Sequence, residues 1–162
     1  MTNELIEEIK GCLSATAKRL MEKQAGNREW THECLHELAE LGRKEKYGVC
    51  PWPDNMKGEW LYDLIWYAET DGAIWPKRMS KVVMVLESEW SHHMEEVRYD
   101  FQKLIQAKAQ IKVMIYENLD GAYEELKKDI EAFECKDGEE TYLFANLKSN
   151  DFEFKVYSPA SK

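Results

Sequence analysis

No stretch of this chain approaches the roughly 18 consecutive apolar residues that a membrane-crossing helix requires, so no membrane span is expected. Positive charge is also in short supply. Twenty-two lysines and arginines face 31 aspartates and glutamates, for a net charge of −9. That balance argues against a broad basic surface for nucleic acid, while leaving room for a local basic groove. The segment Met1–Lys10 is acidic and amphipathic. It lacks the positive start and apolar run of a secretory leader, so a cytoplasmic location is expected. Paired cysteines are missing as well. Cys12, Cys34, Cys50 and Cys135 are far apart, with no Cys-x-x-Cys. Buried free thiols are the expectation, and a zinc site from Cys34, His36 and Cys50 matches no standard spacing. Gly48 and Gly72 stand alone, without a phosphate-cradling loop.

What the chain does contain is apolar and aromatic material. Hydrophobic residues make up 44% of 162 positions, with six tryptophans and eight tyrosines, enough to fill the core of one domain and still line a pocket. Helical spacing over residues 3–23 puts Leu5, Ile6, Ile9, Leu13, Ala17 and Leu20 on one face, and a second helix follows over 28–43. Gly42 reads as its stop signal. Residues 47–50 suggest a short strand, and Pro51, Pro53, Asp54 and Asn55 a loop. The segments 59–68 and 81–89 are β-prone and read as an antiparallel hairpin across a loop containing Pro76. A polar link at 91–95 leads to a helix over 96–108. Strand 111–116, helix 123–133, a turn at Asp137-Gly138 and strands 141–147 and 152–157 complete the order. The helix at 96–108 is a crossover, which makes strands 81–89 and 111–116 parallel. The expected fold class is α/β: one domain over 1–162, with a central mixed sheet flanked by helices on both faces.

The chemistry concentrates on the hairpin. Strand alternation places Leu61, Asp63, Ile65 and Tyr67 on one face of the first strand, and Val83, Val85, Glu87 and Glu89 on one face of the second. A symmetric turn about Trp75 sets Asp63 opposite Glu87. Asp63 is then an acid among apolar neighbours, a costly placement unless it is compensated. Three carboxylates so close repel and raise one another's pKa. A divalent cation relieves that. Magnesium takes oxygen ligands, commonly one or two carboxylates with waters and substrate phosphate oxygens, and can activate a water against a phosphodiester. The Ser88 carbonyl offers a further ligand. The plain alternative is three solvated or lysine-paired acids at a strand end.

With Asp63 on one strand and Glu87-Ser88-Glu89 on the next, the pattern resembles the PD-(D/E)xK, or restriction-endonuclease-like, superfamily. Its core runs helix, three-strand meander, helix, strand, which the chain matches over about residues 28–117; a helix and β-hairpin over 121–157 follow. The resemblance implies a restriction-endonuclease-like core, Mg²⁺ or Mn²⁺ as cofactor, and hydrolysis of nucleic acid. It implies metal ligation by Asp63 and Glu87, with Ser88 as a further ligand. Glu89, as second-metal ligand or water-orienting base, stands where lysine is usual, as it does in BamHI-like restriction endonucleases. No proline precedes Asp63; Tyr62 does. A lysine from the following helix replaces the motif lysine in some members, with Lys103 and Lys108 the candidates here. An acid from the helix before the sheet sometimes joins the site, with Glu37 and Glu40 the candidates. Many relatives of the fold pair up, so a homodimer is expected by analogy.

Other residues carry weaker signals. His92-His93 titrates near neutrality but reads first as an exposed pair. Tyr62, Trp66 and Trp90 can stack on bases or simply pack, and helix 123–133 reads as a solvated face. Two functional expectations stand side by side: a Mg-dependent nuclease, or a catalytically inactive protein of that fold serving as a protein-interaction or regulatory module. A tryptophan-lined small-ligand pocket ranks behind both.

Overall fold

A computed structural model describes residues 2–51, 61–70, 78–133 and 139–159. The elements run α1 (Thr2–Lys23), α2 (Asn27–Lys44), β1 (Gly48–Cys50), β2 (Leu64–Glu69), β3 (Met79–Glu89), α3 (Met94–Gln106), β4 (Ile111–Glu117), α4 (Ala122–Ala132), β5 (Thr141–Leu147) and β6 (Phe152–Tyr157). The six strands form one sheet in sequence order. β1, β2 and β3 make an antiparallel meander, β3, β4 and β5 are parallel, and β6 returns antiparallel. The protein is therefore an α/β fold with a mixed sheet, as its alternating pattern of strands and crossover helices requires. Among the described residues no helix is long and apolar enough to cross a membrane. The loop prolines Pro53 and Pro76, the turn centre Trp75, Asp137-Gly138 and Cys135 lie outside the described residues.

Strand alternation divides the core in two. On one face, Ile111, Val113 and Ile115 of β4 and Leu143, Ala145 and Leu147 of β5 pack under α1 and α2. On the other, Met114, Tyr116, Tyr142 and Phe144 pack under α3 and α4. Both faces are covered, which is why β4 and β5 are buried along almost their whole length. The α1–α2 pair is fastened at its rim by Arg19, which donates to Glu37 at 2.9 Å and Glu33 at 2.8 Å.

Three expectations about this scaffold need correction. Residues 61–63 are a bend, and β2 begins at Leu64. Leu61 and Tyr62 ahead of it do not join the ladder; Tyr62 packs on the α3 side beside Ile65 and Leu61 is exposed, while Glu59 and Trp60 of the expected strand lie outside the described residues. β3 carries a bulge: Trp66 pairs with Met84 but Tyr67 pairs with Val82. The extra residue turns Val83 to the α1–α2 face beside Met84, away from Val85. Gly42, finally, does not stop α2, which runs on to Lys44.

Gly42 serves close packing instead. A Cβ there would lie 2.6 Å from Nε1 of the buried Trp66 indole. Gly42→Ala gains helix propensity of about 1 kcal/mol but forces a rigid ring to move in a filled core, at about 1–3 kcal/mol. A net loss of up to about 2 kcal/mol is expected by urea denaturation. An unchanged or raised midpoint would show that the helix can back away from the indole freely.

Candidate active site

The C-terminal ends of β3, β4 and β5 share one edge of the sheet, the edge where open α/β sheets place their ligands. Glu87 sits at that edge on the α3 side. It is 2% exposed, the most deeply buried acid described. Its position follows from period-2 alternation: Val85 and Glu87 turn the same way, and Val85 packs with α3. Lys103, one turn from the end of α3, reaches it, with Nζ 3.2 Å from Glu87 Oε2 and 2.7 Å from Asp100 Oδ1. Glu87 Oε1 is buried and has no hydrogen-bond partner among the described residues.

Asp63 arrives from the bend before β2. The ladder pairs Leu64 with Leu86 and Ile65 with Val85, so the next step outward brings Asp63 to Glu87, the register expected of a symmetric hairpin. Asp63 is held by Ser88, whose N–H and Oγ–H both donate to Asp63 Oδ2 at 2.8 Å. Ser88 thus enters the site as a donor to Asp63. Glu89 is turned to its own chain, accepting from the Ser91 N–H at 2.7 Å. Asp63, Glu87 and Lys103 are brought together; Glu89 stands beside them.

The electrostatics follow from burial. Removal from water, and then the charge of Asp63, push the Glu87 carboxyl up to about 8 against the pull of Lys103. Burial works to lower the Lys103 ammonium, but its hydrogen bond to Asp100 and the charge of Glu87 outweigh it, so the group is raised overall. The half-buried Tyr62 phenol is raised by burial first and by Glu87 second. An acid tuned near neutrality beside a fixed cation, at a sheet edge, is a recurring signature of sites that do chemistry.

The remaining candidates fall elsewhere. Glu37 and Glu40 pair with Arg19 and Arg43 on the α1–α2 side of the sheet, so neither joins Glu87. Lys108 follows α3 at the opposite end of the strands, beside Lys81 and Glu140. Trp66 is wholly buried. Trp90 is a core anchor: its indole N–H donates to Thr31 Oγ1 at 2.7 Å, and its ring lies 6.0 Å from Trp30. His92 and His93 are exposed, with His93 at the N-cap of α3. Burial pushes the Cys34 thiol up to about 12 and the Cys12 thiol to about 11, which makes them inert packing groups. Among the described residues no group of three or more His, Cys, Asp or Glu is placed to hold a metal ion.

Two polar features escape a sequence reading altogether. Lys112 is 1% exposed at the second position of the apolar β4. It pairs with the Glu140 carboxylate and donates at 3.1 Å to the Ile105 carbonyl and to Tyr142 Oη. Asn146 is buried at the carboxyl end of β5. No family model, curated protein or solved structure matches the chain.

Proposed function

We propose that this protein is a metal-dependent nuclease with a restriction-endonuclease-like core, cutting phosphodiester bonds at the Asp63–Glu87–Lys103 cluster. The observation that carries the reading is the Lys103–Glu87 contact. A lysine from the crossover helix comes to the acid of the third strand, where the resemblance leads one to look for the lysine missing from the motif. The element order supports it, since α2, the β1–β3 meander, α3 and β4 follow the order of that core.

The donor set suits magnesium or manganese. The unpartnered Glu87 Oε1 and the Asp63 carboxylate would hold the ion, and two carboxylates with waters meet magnesium's habit. When bound, the metal supplies charge stabilisation and an activated water. The protein's own groups do the rest. Ser88 fixes Asp63 through two hydrogen bonds. Lys103, anchored by Asp100, directs its ammonium to where negative charge grows on the phosphate. Glu89 Oε1 is taken by the Ser91 N–H, so in this reading orienting the attacking water falls to its Oε2.

A second reading has its own support. The net charge of −9 and the ammonium already beside Glu87 suit a catalytically inactive module that binds another protein. The test is cleavage of linear DNA and structured RNA with Mg²⁺ or Mn²⁺ at pH 8. Cutting that falls at least about 100-fold in Lys103→Met, with the thermal midpoint retained, is expected. No cutting of either polymer, together with no stabilisation by millimolar Mn²⁺, would favour the inactive module.

A further inference from the structure

Along the same sheet edge lies a cavity of about 210 Å³ between the ends of β4 and β5 and the start of α4. The ladder carries the register straight across to it: Glu89 pairs with Tyr116, and Tyr116 pairs with Asn146. Two strand spacings make roughly 10 Å. Tyr116 packs on the α3–α4 face, and Asn146, two residues on from Phe144 of that face, shares it. The cavity and Glu87 therefore occupy one side of the sheet.

Asn146 is the telling residue. It is 7% exposed, and its Nδ2 donates to the Leu119 carbonyl at 3.3 Å. That bond fixes the amide, leaving Oδ1 buried with no partner among the described residues, in a side chain that lines the cavity. A buried acceptor left unmet costs free energy, so the site is short of a hydrogen-bond donor. The charges at the rim point the same way. Lys148 is paired with Asp120 at 2.6 Å, and Lys155 lies 3.6 Å from Glu153. Three carboxylates, Asp120, Glu124 and Glu153, face these two lysines at the rim, so the surplus capacity there is for accepting hydrogen bonds. Tyr123, partly buried, offers its ring as apolar wall, while Tyr116, 2% exposed, closes the cavity from below. The volume falls below the ~300–1,000 Å³ of pockets for drug-sized ligands, which suits a single ring system.

We propose that this cavity seats one nucleobase bearing an exocyclic amine, which donates to Asn146 Oδ1 while the base lies against Tyr123. The assignment rests on the nuclease reading for its purpose, to hold a nucleotide flanking the phosphodiester at Glu87, but not for its chemistry. Binding is measured without metal, by NMR titration of the full chain with adenosine 5′-monophosphate and with purine riboside 5′-monophosphate, which lacks the amine. Adenosine monophosphate should bind at least about 5-fold tighter, the discrimination one hydrogen bond gives, and shift Tyr116 and Tyr123 resonances. Asn146→Leu should abolish the preference. Tyr123→Leu, which leaves the amide in place, should weaken both ligands about equally and so covers a misfolded Asn146 variant. Equal binding of the two ligands, or shifts confined to residues away from the cavity, would overturn the proposal. A short oligoadenylate binding tighter than the mononucleotide supports a polymer substrate; equal binding removes the link to Glu87. Should the amine preference hold while no nucleic acid is cut, the base site stands and the nuclease reading falls.

Discussion

Replacing Lys112 by methionine is expected to lower the unfolding free energy by about 3 kcal/mol, within the ~3–5 kcal/mol typical of breaking a buried ion pair from one side. Lys112 and Glu140 are 1% and 7% exposed. Methionine fills the aliphatic volume but withdraws the ammonium from Glu140, the Ile105 carbonyl and Tyr142 Oη. The Glu140 carboxylate is then left with neither water nor counter-ion. The control is Lys112→Met with Glu140→Gln. Two neutral groups no longer carry the desolvation cost of one stranded charge, so the double variant should recover at least half of the loss. A double-mutant cycle in urea reads the coupling directly. A single-variant loss below about 1 kcal/mol would mean that Glu140 swings out to solvent or to Lys108, and that the pair does not hold α3 to the strands.

Such a pair could not be read from the sequence, and the reason shows where pattern reading fails. Ile111–Tyr116 reads as a continuous apolar strand, and one lysine within it is invisible to periodicity because its partner Glu140 lies 28 positions away in the chain. The bulge at Val83 is likewise a property of two strands fitting together, and neither strand alone announces it. Asn146, in sequence, is one polar residue near a strand end, with nothing local to mark it as buried. Where local rules suffice, the reading succeeds. Strands 141–147 and 152–157 have the observed bounds, since turn residues fence an apolar alternation on both sides. α3 begins at Met94, earlier than its apolar stripe suggests, because Glu95 and Glu96 favour a helix's first turn without advertising a buried face. The site was half legible. Register by symmetry brings Asp63 to Glu87, and the family resemblance makes Lys103 a candidate equal to Lys108. Only the crossing of α3 over the sheet separates those two lysines. The turn of Glu89 toward Ser91 is a backbone matter that no spacing rule contains.

Glu87→Gln should leave the protein more stable in mild alkali and, on the nuclease reading proposed above, stop it cutting. In the unfolded chain the Glu87 carboxyl titrates at its ordinary value near 4.5, whereas burial and Asp63 lift it to about 8 in the folded protein. Between those values the folded state keeps a proton that the unfolded state has released. The unfolded state therefore binds fewer protons, and stability declines as pH rises through the window, the whole loss being present above about pH 8. Its size is of order 3–5 kcal/mol. Glutamine keeps the shape and cannot ionise. The variant should match the parent near pH 5 and exceed it by a few kcal/mol at pH 9, seen as a flat pH profile in urea denaturation. An ion held by Glu87 requires the ionised form, so stabilisation by Mn²⁺ should grow across the same window in the parent and vanish in the variant. On the nuclease reading, cleavage should fall by at least about 100-fold. A residue whose neutral replacement adds stability and removes activity is held in an unfavourable state for function's sake. If Glu87→Gln is instead less stable than the parent from pH 5 to pH 9, the acid serves only as the structural partner of Lys103, and the case for chemistry at this edge of the sheet is lost.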